Sequence, residues 1–184
     1  MLALLRSVGM RRPTPVQSMY ITKQPGLGGE VVPHQDSAFL TTTPQTCTGF
    51  WVALEDATRS NGCLWALPRS HAAGVARRFV LTPSRSTRWA DAAGGVADSP
   101  SPPSFPRPVD ERSGYVALEV PAGAAVLLHG ACVHASAANA SQQSRHAYSL
   151  HFVEADAAWA ADNWMHRAPD FPTVPLGEEK AEDV

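Results

Sequence analysis

The run Glu30-Val31-Val32-Pro33-His34-Gln35-Asp36 is dense in β-formers and carries an imidazole and a carboxylate two residues apart. In an extended chain, residues i and i+2 point to the same side, so His34 and Asp36 can converge on one metal ion. Pairs of short strand-like runs separated by turn residues extend on both sides of it. Val16 to Lys23 reads as a strand, followed by the turn Pro25-Gly26-Leu27-Gly28-Gly29 and then the strand that ends in the His-x-Asp pair. Farther on, Cys47 to Leu54, Cys63 to Leu67, Tyr115 to Val120, Ala124 to Leu128 and His146 to Val153 have the same character. Short strands joined by turns, with one helix stub over Met1 to Gly9 that Pro13 and Pro15 cannot continue, predict a mainly β fold. Its expected form is an antiparallel jelly roll.

Composition sets the frame. The 184 residues fit a single domain over residues 1–166, with an acidic tail over 167–184. A hydrophobic fraction of 44% against a charged fraction of 17% describes a chain that buries a core. The net charge of -2 gives no electrostatic reason to expect nucleic acid or an anionic membrane surface as a partner. No apolar run approaches the length of a membrane span, and Leu2 to Leu5 is too short for a secretory signal. With no C-terminal targeting tripeptide either, the cytoplasm is the default expectation. Cys47, Cys63 and Cys132 are odd in number and lack a Cys-x-x-Cys spacing, so they read as reduced thiols rather than a disulfide framework or zinc knuckle. Residues 82–113 mix prolines with Ser, Gly and Ala and are expected to form an insertion loop, either a mobile surface segment or a lid.

A two-residue metal site needs a third ligand, and His129 and His134 compete for the place. On a continuous strand, five residues put them on opposite faces, so at most one faces the metal unless Gly130 bends the chain. His134 leads into the polar turn Ala-Ser-Ala-Ala-Asn, as expected at a barrel mouth, whereas His129 between Leu128 and Gly130 reads as a packed residue. Two histidines and one carboxylate on one face of an ion is the arrangement of non-haem Fe(II) oxygenases, although zinc or manganese accept the same ligands. Arg145, across a hairpin from His134, is either a fork for a carboxylate or a surface residue beside His146.

Taken in order, Gln17-Ser18-Met19-Tyr20, Lys23 to Glu30, Pro33 to Asp36, Glu55 to Thr58, Asn61 to Trp65, His129-Gly130, Val133-His134 and Ser144 to Tyr148 resemble the phytanoyl-CoA dioxygenase family. The resemblance runs from about Ser7 to Trp164. It implies a double-stranded β-helix holding Fe(II) through His34, Asp36 and His134. It further implies Arg145 as partner of the distal carboxylate of 2-oxoglutarate, with Met19, Gln35, Trp51 and Ser149 lining the cosubstrate pocket. The activity it implies is oxidative decarboxylation of 2-oxoglutarate to succinate by dioxygen, coupled to hydroxylation of a small-molecule substrate that the sequence does not identify. Retention of Asp36 speaks against the halogenating variant of this chemistry. Two departures stand out. Family members usually carry a longer N-terminal region, so the chain looks truncated, and a metal- and 2-oxoglutarate-binding module with impaired turnover is the alternative. In Pro68-Arg69-Ser70-His71, relatives tend to have glycine where this chain has Arg69, which implies backbone strain or a change of turn type.

Overall fold

The computed structural model describes residues 1–92, 101–108, 111–165 and 174–178. Eight strands form two four-stranded antiparallel sheets. The larger has the order β1 (Pro13–Lys23), β11 (Arg145–Glu154), β4 (Thr48–Ala53), β9 (Ala125–His129); the smaller has β2 (Val31–His34), β10 (His134–Ser136), β5 (Leu64–Ala66), β8 (Val116–Leu118). The chain passes from one sheet to the other along β1–β2, β4–β5, β8–β9–β10–β11, which is the winding of a double-stranded β-helix. Two small additions complete it: β3 (Thr42–Thr43) pairs with β12 (Ala158–Trp159), and β6 (Arg77–Leu81) forms a hairpin with β7 (Thr87–Asp91).

Period-two alternation sorts the side chains. On β4, Trp51 and Ala53 face the other sheet and join Leu64, Trp65, Tyr115, Leu128 and Ala147 in the inter-sheet core. Phe50 on the same strand and Phe152 on β11 face the opposite way, where the short helix α1 (Leu2–Ser7) covers them with Leu5, helped by Met10 and Leu176. Because Leu5 and Phe152 are fully buried there, the helix stub is a lid on the outer face of the larger sheet rather than a loose end.

The register of β11 places the site. Arg145 pairs with Lys23 and Ser149 with Met19 across β1, while Ser149 pairs with Trp51 across β4. Arg145, Ala147, Ser149 and His151 therefore fall on one face, toward the space between the sheets.

Three expectations change. Residues 82–113 are not one loop: Thr87–Asp91 is a strand, and its hairpin turn carries Arg85 at φ 63°. Residues 93–100 and 109–110 of that stretch lie outside the described residues. The tail is not simply solvated, since Leu176 N–H donates to Pro13 O and Glu178 binds Arg12, whereas 166–173 and 179–184 lie outside the described residues. Finally, His129 and His134 do not share a strand. His129 ends β9 in one sheet and His134 opens β10 in the other, with the crossing between them at Gly130. At Arg69 the structure takes the strained alternative, with φ 65° and ψ 1°.

Candidate metal centre

β2 ends at His34, and Asp36 opens a 3-10 turn that runs to Ala38. Gln35 between them is extended, at φ -125° and ψ 127°, so the two side chains still fall on one side. β10 lies beside β2 with His134 directly opposite His34, which brings the second imidazole to the same point from the neighbouring strand. One ligand atom from each of His34, Asp36 and His134 lies within 4.8 Å of the others. The geometry is symmetric about one oxygen: Asp36 Oδ1 is 3.6 Å from His34 Nε2 and 3.6 Å from His134 Nε2.

Both imidazoles are oriented by the same device. His34 Nδ1–H donates to Val32 O at 2.9 Å, and His134 Nδ1–H donates to Cys132 O at 3.0 Å, each to the carbonyl two residues earlier. With Nδ1 protonated, the lone pair sits on Nε2, and it is the Nε2 atoms that face Asp36. This is the tautomer and outer support that metal-bound histidines use. Burial pushes His134 below the ordinary imidazole range. For His34 burial is the largest single influence and acts the same way, but the Asp36 carboxylate and the Val32 carbonyl together outweigh it and the ring is raised. Burial on its own would raise Asp36; the neighbouring His134, His151 and His34 rings together overcome it and hold the carboxyl well below its usual range. The donor set thus offers an ionised carboxylate and two aimed imidazoles, which suits a divalent first-row metal.

These three residues open into a cavity of about 280 Å³ that is also lined by Met19, Trp51, Arg145 and Ser149. Arg145 is 1% exposed, with its guanidinium carbon 5.4 Å from the centre of the Trp51 ring. Its Nε and Nη1, and Trp51 Nε1, are buried and have no hydrogen-bond partner among the described residues. A buried, unsatisfied guanidinium is costly unless an anion meets it. Burial accordingly lowers it to about 10. The nearby Lys23 is satisfied instead: its ammonium donates to Gly29 O at 2.7 Å and Ala137 O at 2.5 Å. An aimed metal triad and an unpaired cation in one apolar cavity match a small dianion that chelates at one end and ion-pairs at the other.

Gln35 is the expected pocket residue whose side chain the structure does not bring to this cavity. Its amide donates to Gly74 O at 2.8 Å and Ala131 O at 2.7 Å and accepts from Ala76 N–H at 3.0 Å, so it ties two loops together behind the site. His129 is likewise elsewhere, exposed and packed on His71 with ring centres 5.0 Å apart. One residue was missed from the sequence: His151 Nε2 lies 3.2 Å from Asp36 Oδ2. Alternation along β11 from Arg145 puts it on the face toward the site but does not set it against Asp36.

A sequence model of the phytanoyl-CoA dioxygenase family matches residues 1–147. The chain belongs to this family. Among phytanoyl-CoA dioxygenase relatives, an Arabidopsis thaliana phytanoyl-CoA dioxygenase is 51% identical over 167 residues, covering 90% of this chain and 54% of the relative. The Bos taurus phytanoyl-CoA dioxygenase domain-containing protein 1 is 46% identical over 176 residues, covering 95% and 57%. The chain therefore spans about half the length of the curated relatives it matches. Among solved structures, the epimerase SnoN in complex with Fe3+, alpha ketoglutarate and nogalamycin RO superposes with a TM-score of 0.66 at 24% identity, covering 96% of this chain and 64% of that one. EvdO2 from Micromonospora carbonacea, complexed with 2-oxoglutarate, gives a TM-score of 0.54 at 26% identity, covering 82% and 57%. Fe(II), 2-oxoglutarate and dioxygen are the cofactor set of the phytanoyl-CoA dioxygenase family, and the fold is that of non-haem 2-oxoglutarate oxygenases. Among the described residues no helix is long and apolar enough to cross a membrane.

Proposed function

We propose that this chain is an Fe(II)- and 2-oxoglutarate-dependent dioxygenase that hydroxylates a small molecule, with His34, Asp36 and His134 holding the metal. The observation that carries the proposal is the pairing of an aimed His-Asp-His set with the unpartnered Arg145 fork in one cavity of about 280 Å³. Bound iron supplies the activation of dioxygen that decarboxylates 2-oxoglutarate and oxidises a C–H bond. The protein's own part is placement. Val32 and Cys132 carbonyls fix which imidazole nitrogen faces the ion, Arg145 takes the distal carboxylate as a bidentate partner, and Met19, Trp51 and Ser149 line the volume between. The apolar walls keep water from the reacting centre and strengthen the ion pair with Arg145.

An anaerobic titration tests this directly. Metal-free protein given Fe(II) and then 2-oxoglutarate should develop a visible metal-to-ligand charge-transfer band and release succinate when air is admitted. Since the chain spans about half of its relatives' length, the second reading is a module that binds both and turns over neither. A band without succinate would establish that reading, and no band at all would remove both.

A further inference from the structure

We infer that His151 is a positioning residue for the metal-binding carboxylate: its Nε2–H holds Asp36 Oδ2, so that Oδ1 alone is offered to the metal. The inference rests on the proposed metal site and asks how that site limits its own coordination.

The two oxygens of Asp36 have different surroundings. Oδ1 is equidistant from His34 Nε2 and His134 Nε2, at 3.6 Å each, and so is the oxygen that shares an ion with them. Oδ2 is turned the other way, 3.2 Å from His151 Nε2. Beside it stands Gly49, where an added Cβ would sit 3.2 Å from Oδ2 and 3.6 Å from Leu128 Cβ. Oδ2 thus has the His151 ring nitrogen at 3.2 Å and the Gly49 backbone close beside it, where even a methyl group would crowd it. His151 is well placed to hold still: it is 3% exposed, on a ten-residue strand paired on both sides, opposite Gln17 of β1 and Gly49 of β4. Its Nδ1 is buried without a partner among the described residues, which leaves the 3.2 Å contact of Nε2 with Asp36 as the polar contact that orients the ring.

The chemical consequence is a matter of counting positions. Two imidazoles and one carboxylate oxygen leave three of the six places around an octahedral ion, enough for a chelating 2-oxo acid and one further small ligand. A carboxylate bound through both oxygens leaves two, and one of those ligands is excluded. By holding Oδ2 away, His151 keeps the third place open.

The test uses Co(II) alone as the probe, on the full chain stripped of metal with a chelator, read by the cobalt d–d bands with thermal unfolding followed in parallel. The variants are His151→Leu, His151→Gln and Gly49→Ala. In His151→Leu the dissociation constant for Co(II) should rise about 10- to 100-fold, as for loss of other outer supports of metal ligands, and the band pattern should change. His151→Gln, whose amide N–H can reach the same oxygen, should recover most of that loss. Gly49→Ala keeps His151 but crowds Oδ2, and should also weaken Co(II); it carries the comparison if His151→Leu does not fold. Folded His151→Leu binding Co(II) with wild-type affinity and bands, His151→Gln as weak as His151→Leu, or Gly49→Ala indistinguishable from wild type would each overturn the inference while leaving the metal site standing. Wild-type protein that takes up no Co(II) would overturn both.

Discussion

Gly130 is where a single methyl group should cost this protein both its stability and its metal. The residue sits at the crossing between β9 and β10, against the 3-10 turn that carries Asp36. Its N–H donates to Cys47 O at 2.8 Å, and its carbonyl accepts from Ser37 N–H at 2.9 Å. An added Cβ would lie 2.6 Å from Cys47 O and 2.7 Å from Cys47 Cβ, and nearer still to Ser37 Oγ. Cys47 O and Cβ move only with the backbone, and Ser37 Oγ, though a rotatable end, has no exposed space to turn into. Cys47 is 2% exposed and Ser37 0%, so neither can swing into solvent. Relief must come from the backbone, which means moving Ser37 and with it Asp36, or giving up one of the two hydrogen bonds. Overpacking of this kind costs about 1–3 kcal/mol and a lost buried hydrogen bond about 1 more, so Gly130→Ala should destabilise by roughly 2–4 kcal/mol. For a chain of this size that lowers the melting temperature by about 5–15 °C. The assay is differential scanning calorimetry of metal-free protein together with a Co(II) titration well below the new midpoint, where the folded fraction still binds more weakly because the carboxylate has shifted. A melting temperature within about 2 °C of wild type, or unchanged Co(II) affinity, would refute the steric reasoning.

Arg145→Met should separate affinity from stability. The buried fork lacks partners for Nε and Nη1 among the described residues, so the metal-free protein should melt at or above the wild-type temperature, while binding of 2-oxoglutarate by calorimetry falls by about 10- to 100-fold with loss of a bidentate charged contact. A lower melting temperature with unchanged 2-oxoglutarate affinity would contradict it. His134→Ala should abolish Co(II) binding and succinate formation, and His129→Ala should retain both; the reverse result would move the third ligand to His129. Arg69→Gly removes a left-handed backbone cost of about 1–2 kcal/mol against a glycine entropy cost of about 0.5–1, so chemical denaturation should show a small net gain. A loss would show that the Arg69 side chain contributes more than its backbone costs.

The parts of this structure that follow from a short local rule were legible in the sequence. Alternation along Glu30 to Asp36 put His34 and Asp36 together, and it did so even though the hydrogen-bonded strand stops at His34, because Gln35 remains extended. Alternation does not say what lies across a face. It puts Gln35 on the face away from His34 and Asp36, against the family resemblance that implies a pocket role, but does not reveal the Gly74, Ala76 and Ala131 backbone groups that occupy its amide. The same limit hid His151, whose significance depends on the β11–β4 register that sets it opposite Gly49. Within the His129 to His134 stretch the sequence offers Gly130 as a bend. Its stronger role is close approach to Cys47 and Ser37, residues distant in sequence, and nothing in the local pattern could show that. The hairpin of β6 and β7 escaped because Arg77, Arg78, Arg85 and Arg88 break up its apolar pattern, and it is supported by Phe79 and Trp89 packing on each other and on Phe39.

The cavity's electrostatics lead to a last consequence. Lys23 and Arg145 are register partners on β1 and β11, both buried, and no carboxylate is hydrogen-bonded to either among the described residues. Lys23 is lowered to about 8, first by burial and then by the charge of Arg145. A carboxylate that pairs with Arg145 cancels the second cause and leaves the first, so the ammonium becomes easier to protonate. The sign is therefore fixed: near pH 8, where a sizeable fraction of Lys23 is neutral, binding of 2-oxoglutarate to metal-loaded protein should take up a fraction of a proton. At pH 6.5 Lys23 is already charged, and the uptake should vanish. Calorimetry in two buffers of different ionisation enthalpy measures it, and Lys23→Met reports whatever the metal and the other groups contribute on their own. Uptake at pH 8 that persists in Lys23→Met, or none in the wild type, would mean that the bound anion does not neutralise Arg145, and the assignment of that residue to the distal carboxylate would fail with it.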